Sequence, residues 1–265
     1  MARYVRFLHD GMPRYGRVED AEVAVIDPHP FARHQPTGER VQIAGLNLLA
    51  PVIPSKIVGV GRNYRDHVAE MGTELPTEPL LFLKPSSSVI GPGEAIRLPS
   101  EQSTRVDHEA EVAVVIGALL QRVTPDEARA GIFGVTAAND VTARDLQEQE
   151  SQWFRAKGFD SFCPLGPAIA TDVELGDIEV GCRVDGEDRQ RSSTSALIFD
   201  IPTLVSTISE VMTLLPGDVI LTGTPAGVGP LVAGQRVAVD VAGVGVLENP
   251  VVDRGAPAAR VNGSG

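Results

Sequence analysis

Short apolar runs, bounded by Gly and Pro and seldom extended into a helical period, dominate this chain. Residues 4–8 and 21–26 carry the apolar clustering of strands, with Asp10-Gly11 as a turn signal between them. They predict a small β region over residues 1–50. Within it residues 27–35, with two prolines and two histidines, read as loop, so His29 and His34 read as loop residues and not as ligands. Residues 49–54 read as a linker. Ile57-Val58-Gly59-Val60-Gly61 then opens a second unit on a buried strand. The polar and apolar spacing of NYRDHVAEMG predicts a short helix closed by Gly72. Further apolar runs at 80–83, 112–116, 219–222, 236–241 and 244–247 predict strands, and 201–212 has helical period. Residues 125–130 predict a helix, with Thr124 as N-cap and Glu127 in the capping-box position. The chain divides into a small N-terminal β domain at 1–50, a larger unit at 57–250 and a disordered tail at 255–265. The expected fold class is mixed α/β and β-rich, with no internal repeat.

Composition narrows the classes of function. The 265 residues are 43% apolar and 22% charged, which is ordinary globular usage, and 27 Gly with 20 Pro favour turns over long helices. A formal net charge of -12 removes the basic footprint that nucleic-acid binding needs. Cys163 and Cys182 form no CxxC, so neither a disulfide framework nor a zinc site is expected. No apolar run is long enough for a membrane span, and the N-terminus lacks the apolar stretch of a signal peptide. These features place the chain in the cytoplasm, with reduced thiols.

The candidate chemistry begins at His108-Glu109-Ala110-Glu111. In a strand, side chains at i and i+2 share a face, so Glu109 and Glu111 would project together. Such a pair is either a solvated strand face or the start of a dication site, since a bound cation removes the repulsion. Asp140, in VTAANDVTARDLQ, supplies a third acid at a strand-to-loop junction, although an Asp there can also cap the next helix. Three carboxylates make a hard oxygen site suited to Mg²⁺ or Mn²⁺. Lys84 and Lys157 stand beside turn signals and could offset substrate charge. His67 and Glu70, at i and i+3 on a helix, share a face and are either an exposed surface pair or a dyad that polarises a water for general-base work. The loop LTGTPAGVGP lacks the Lys of a phosphate-binding loop but could hold an oxyanion.

The strings GRNYRDHVAEMG, EPLLFLKPSSSVIGPG, DHEAEVAVVIG, ANDVTARDLQ, QWFRAKGFDSFCPLGP, STSALIFDIPTL and LPGDVILTGTPAGVGP resemble, in order, those of the fumarylacetoacetate hydrolase family. The resemblance implies a coiled β-roll core, a homodimer, and Mg²⁺ or Mn²⁺ held by Glu109, Glu111 and Asp140. By the same match His67 and Glu70 form a catalytic dyad on a short helix that closes over substrate, and Lys157 offsets charge on the reacting group. Lys84, Gln147 and Thr224 fall on substrate-contacting or supporting positions. Where larger relatives that hydrolyse fumarylacetoacetate carry a fourth acid, this chain has Asn63, which favours the smaller branches. The implied reaction is C–C cleavage of a small 2-oxo or enol acid, by acylpyruvate hydrolysis or oxaloacetate decarboxylation, through an enolate that the metal stabilises. Its rivals are 2-hydroxyhepta-2,4-diene-1,7-dioate isomerase or 5-oxopent-3-ene-1,2,5-tricarboxylate decarboxylase activity, and a non-catalytic metal-binding protein.

Overall fold

The computed structural model describes residues 1–255, so the expected disordered tail, apart from Gly255, lies outside the described residues. The first five strands are β1 (Arg3–His9), β2 (Met12–Glu19), β3 (Glu22–Asp27), β4 (Gln35–Gln42) and β5 (Asn47–Leu49). The chain continues through β6 (Ile57–Gly61), α1 (Arg65–Glu70), β7 (Leu80–Lys84), β8 (Val89–Ile90), β9 (Ile96–Leu98), β10 (Val106–His108) and β11 (Ala110–Ile116). After α2 (Pro125–Gly131) come β12 (Ile132–Asn139), β13 (Thr142–Ala143), α3 (Arg144–Gln149), α4 (Phe154–Lys157) and β14 (Cys163–Ala170). The last elements are β15 (Glu179–Val184), β16 (Glu187–Ser193), α5 (Ile201–Val211), β17 (Val219–Leu221), β18 (Gly229–Pro230), β19 (Arg236–Val241) and β20 (Gly245–Asp253).

The fold is mixed and strand-rich. One sheet runs β4-β3-β2-β1-β14-β12-β11-β17-β6-β7, with β5 on β1 and β8 on β14. A second runs β16-β15-β19-β20-β9, and a short third one β13-β10-β18. The N-terminal strands are therefore not a detached unit. β1 pairs antiparallel with β14, Arg3 opposite Ala170 and Tyr4 opposite Ile169. Val5 and Phe7 bury their side chains in a small core with Val23, Val25 and Ala168.

The hairpin from β1 to β2 turns at Asp10-Gly11, both in the left-handed region that a tight two-residue turn demands. Pattern reading finds β1 and β3 but not β2 and β4. MPRYGRVE and QPTGERVQ are mostly exposed and carry no apolar alternation, and only pairing with their neighbours makes them strands. In the larger unit the capping box of α2 is present, with Thr124 and Glu127 bonded reciprocally. The apolar strand β11 is buried along its whole length and packs at the centre of the main core.

A candidate metal and proton-transfer site

Antiparallel register brings the three acids together. Ala110 lies opposite Asn139 in the β11–β12 ladder, and the Asp140 N–H donates to the Glu109 carbonyl at 2.8 Å. Asp140 is therefore the cross-strand neighbour of Glu109, while Glu111 shares a face with Glu109 by the period of two. Glu109 itself stands in the break between β10 and β11, where Asn139 Oδ1 accepts its N–H at 2.9 Å. One oxygen from each of Glu109, Glu111 and Asp140 falls within 4.8 Å of the others, and all three residues are buried. Asp140 is not a helix cap, since α3 starts later with Ala143 in the N-cap position.

The charges on the cluster are unevenly met. Lys157 Nζ donates to Glu109 Oε2 at 2.8 Å and to Asp140 Oδ2 at 2.6 Å. Lys84, fully enclosed, donates to Asp140 Oδ1 at 2.6 Å and to the Val141 carbonyl at 3.2 Å. Arg144 donates to Glu109 Oε1 at 2.6 Å and to Asp107 at 2.9 Å. Burial alone would push the Glu109 carboxyl up, but Lys157 and Arg144 outweigh it and hold it well below the usual range. Burial pushes the Glu111 carboxyl well up, and the neighbouring Asp140 and Glu109 push it further. Among the described residues, the one hydrogen-bond partner of the Glu111 carboxylate is the Gly223 N–H, at 2.6 Å. Among the same residues no cation forms an ion pair with Glu111, and Lys157 reaches it only at longer range. Three hard oxygen donors with an uncompensated member fit a divalent cation such as Mg²⁺ or Mn²⁺.

His67 is buried on α1, and its Nδ1 lies 3.2 Å from Glu70 Oε2. The Gly227 N–H donates to both Glu70 oxygens, at 3.1 and 3.3 Å. Gly227 has φ +95°, and a Cβ there would meet the Arg189 carbonyl oxygen at 2.1 Å, so this loop needs glycine. His67, Glu109, Glu111, Asp140, Gln147, Lys157 and Thr224 line one pocket, together with Arg62, Arg144, Phe82 and Trp153. The Phe82 ring covers Lys157, with Nζ 4.9 Å from its centroid.

The remaining sequence-predicted positions divide. Gln147 faces the pocket and accepts from Arg144. The Thr224 hydroxyl is engaged by the protein, donating to the Ala110 carbonyl at 2.9 Å and accepting from Gln190 at 2.8 Å. Lys84 does not line the pocket and braces Asp140 from behind. Asn63 is buried, and its amide donates to the carbonyls of Phe199 and Thr222 while accepting the Phe199 N–H. A carboxylate there would face two carbonyl oxygens, which explains the amide. Pattern reading passed over Arg62, Asp107 and Arg144. The only signal was their presence in strings already singled out, Arg62 beside Asn63, Asp107 two residues before Glu109 and Arg144 four after Asp140.

Residues 56–252 match the family described as fumarylacetoacetate (FAA) hydrolase, C-terminal, and residues 2–51 match Rv2993c-like, N-terminal. Protein Rv2993c of Mycobacterium tuberculosis is 47% identical over 245 residues, which is 91% of this chain and 92% of that one. The mitochondrial oxaloacetate tautomerase fahd2 of Xenopus laevis is 42% identical over 222 residues, which is 79% of this chain and 69% of that one. The crystal structure of 2-hydroxyhepta-2,4-diene-1,7-dioate isomerase from Mycobacterium marinum aligns with a TM-score of 0.90 at 42% identity, covering 97% of this chain and 100% of that one.

Proposed function

The chain belongs to the fumarylacetoacetate hydrolase family, and on that premise we propose that it is a divalent-metal-dependent enzyme that moves a proton on a small 2-oxo or enol carboxylic acid. The reaction is a keto–enol or dienol isomerisation. The observation that carries this reading is the convergence of His67, itself bonded to Glu70, with the three carboxylates and Lys157 on one pocket. The names of the tautomerase and isomerase relatives support the same class of reaction.

Glu109, Glu111 and Asp140 would hold Mg²⁺ or Mn²⁺, which when bound supplies Lewis acidity toward a 2-oxo group and its neighbouring carboxylate. The protein's own groups do the rest. With Nδ1–H donated to Glu70, His67 keeps the Nε2 lone pair free to take a proton from the carbon beside the 2-oxo group and to return it elsewhere. Glu70, fixed by the Gly227 N–H, holds the ring in that tautomer. Lys157, charged because Asp140 and Glu109 outweigh its burial, offsets negative charge as the enolate develops. Phe82 and Trp153 wall the pocket with apolar surface and limit water. The space open to water in the pocket is about 20 Å³, so the pocket must open to admit a substrate.

C–C cleavage, by acylpyruvate hydrolysis or oxaloacetate decarboxylation, is the second reading. It shares the enolate, and the 40% exposure of the Glu70 side chain favours it by leaving the dyad open to a nucleophilic water. A homodimer is part of the proposal, supported by exposed Leu83 and Phe154 and by Val211 beside one apolar groove.

The test follows enol oxaloacetate, 2-hydroxyhepta-2,4-diene-1,7-dioate and acetylpyruvate by ultraviolet absorbance, with Mg²⁺, Mn²⁺ or chelator. Wild type is compared with Glu70→Ala and Glu111→Gln. Isomerisation without carbon loss, abolished by chelator and by both substitutions, supports the first reading. Release of pyruvate with CO₂ or acetate moves the assignment to cleavage. Turnover that ignores chelator, or metal binding with no turnover of any acid, sinks both.

A further inference from the structure

Arg62 differs from every other cation that lines the pocket. Arg144 is held by Asp107 and Glu109, and Lys157 by Glu109 and Asp140. Arg62 has neither a hydrogen bond nor an ion pair among the described residues, and its Nε is buried without a partner. Buried polar groups are almost always satisfied, so an orphan donor on a pocket wall points to a partner that arrives with the ligand.

The backbone supports the same conclusion. Arg62 has φ +57°, in the left-handed region that non-glycine residues seldom adopt. The flanking contacts enforce that conformation. Gly61 backs onto Trp153, whose ring a Cβ would meet at 2.7 Å, and Asn63 is tied to Phe199 and Thr222. Strain of this kind persists where surrounding structure over-determines it, often at ligand sites.

Charge gives the class of partner. Lys84, Lys157, Arg144 and Arg105 are each bonded to a carboxylate of the cluster, and Glu70 is held by His67 and the Gly227 N–H. Arg62, half-buried on the pocket wall, has no carboxylate bonded to it among the described residues. A second carboxylate on the substrate compensates it, and a guanidinium matches that group's geometry.

We propose that Arg62 binds the distal carboxylate of a dicarboxylic substrate and thereby sets a preference for diacids over monoacids. The proposal rests on the reading above, that a small 2-oxo acid docks at the carboxylate cluster.

The full-length protein loaded with Mn²⁺ is titrated by calorimetry with 2-oxobutanoate, 2-oxoglutarate and 2-oxoadipate. The first two differ by a single carboxylate, and the third lengthens the diacid. Wild type is compared with Arg62→Gln, Arg62→Lys and Arg62→Gly, the last of which tolerates the left-handed backbone. The wild type should prefer a diacid. Arg62→Gln and Arg62→Gly should cut the diacid-to-monoacid affinity ratio by about 10- to 150-fold, the range for losing one charge-assisted hydrogen bond. Arg62→Lys should restore part of the ratio. Equal weakening toward both acid classes, or a ratio that does not move, overturns the proposal and leaves the general reading standing. A wild type that binds 2-oxo acids with no diacid preference does the same. A wild type that binds none of the three acids removes the general reading, and this proposal with it. The thermal midpoint and Mn²⁺ affinity of each variant separate these outcomes from misfolding.

Discussion

Glu109 and Glu111 share one buried face, yet their surroundings push their protons in opposite directions. Glu109 is flanked by Lys157 and Arg144 and stays ionised, whereas at Glu111 burial and the like charges of Asp140 and Glu109 outweigh Lys157 and the Gly223 N–H. The E-x-E spacing was legible because a strand's period of two is a local property. The inequality was not, since Lys157 and Arg144 come from α4 and α3. The two thiols are another case in which burial decides chemistry. Burial pushes Cys163 and Cys182 up to about 12. Native protein at pH 8 should therefore resist iodoacetamide at both, and denatured protein should react at both, as mass spectrometry would read. An acid whose folded value is raised binds its proton more tightly in the native state. Each thiol therefore leaves stability untouched below the unfolded value and erodes it as pH rises toward the folded one. At pH 10 the loss is roughly 1.4 kcal/mol per thiol, from one pH unit above an unfolded value near 9. Denaturant melts at pH 7.5 and 10 should show a smaller difference for Cys163→Ala/Cys182→Ala than for wild type.

At the scale of elements, the site hangs on pieces with very different intrinsic stability. β11 and β12 sit inside a continuous ladder and hold Glu111 rigidly, with Glu109 and Asp140 at its margin. α1 has six residues, and Tyr64 gives it no side-chain cap, so it is too short to be stable alone. Its tether to the loop is the pair of bonds from the Gly227 N–H to Glu70. Amides of Arg65–Glu70 should exchange with deuterium far faster than those of Ala110–Ile116. Glu70→Ala should speed exchange in α1 and leave β11 alone, and oxalate with Mg²⁺ should slow it in wild type. Equal exchange in the two segments would mean that α1 is not a moving part. The helix was readable from NYRDHVAEMG, but its contact with Gly227 was not, because 157 residues separate the partners.

For the whole molecule, the N-terminal strands and the larger unit share one sheet across β1 and β14. None of the three clustered carboxylates lies before residue 51. Deleting residues 1–50 should uncover the β14 edge and Ala168, and should remove the core around Val5 and Phe7. The truncated chain should melt roughly 5 °C or more below wild type, the shift for about 2 kcal/mol in a chain of this size. It should still gain thermal stability from Mn²⁺, and loss of that gain would place the N-terminal strands in the metal site. Both quantities come from one set of thermal melts.

The sequence by itself determined the strand-rich class, the capped helix at Thr124 and the pairing of Glu109 with Glu111. Each of these rests on spacing within a few residues, where side-chain period and turn chemistry act directly. Tertiary structure alone decided that β2 and β4 are strands and that Lys84 braces Asp140 from behind the pocket. It also decided that Arg144 is spent on carboxylates while Arg62 is not. Those outcomes depend on which distant charges and backbone groups meet in a low-dielectric interior, and no local pattern encodes that meeting.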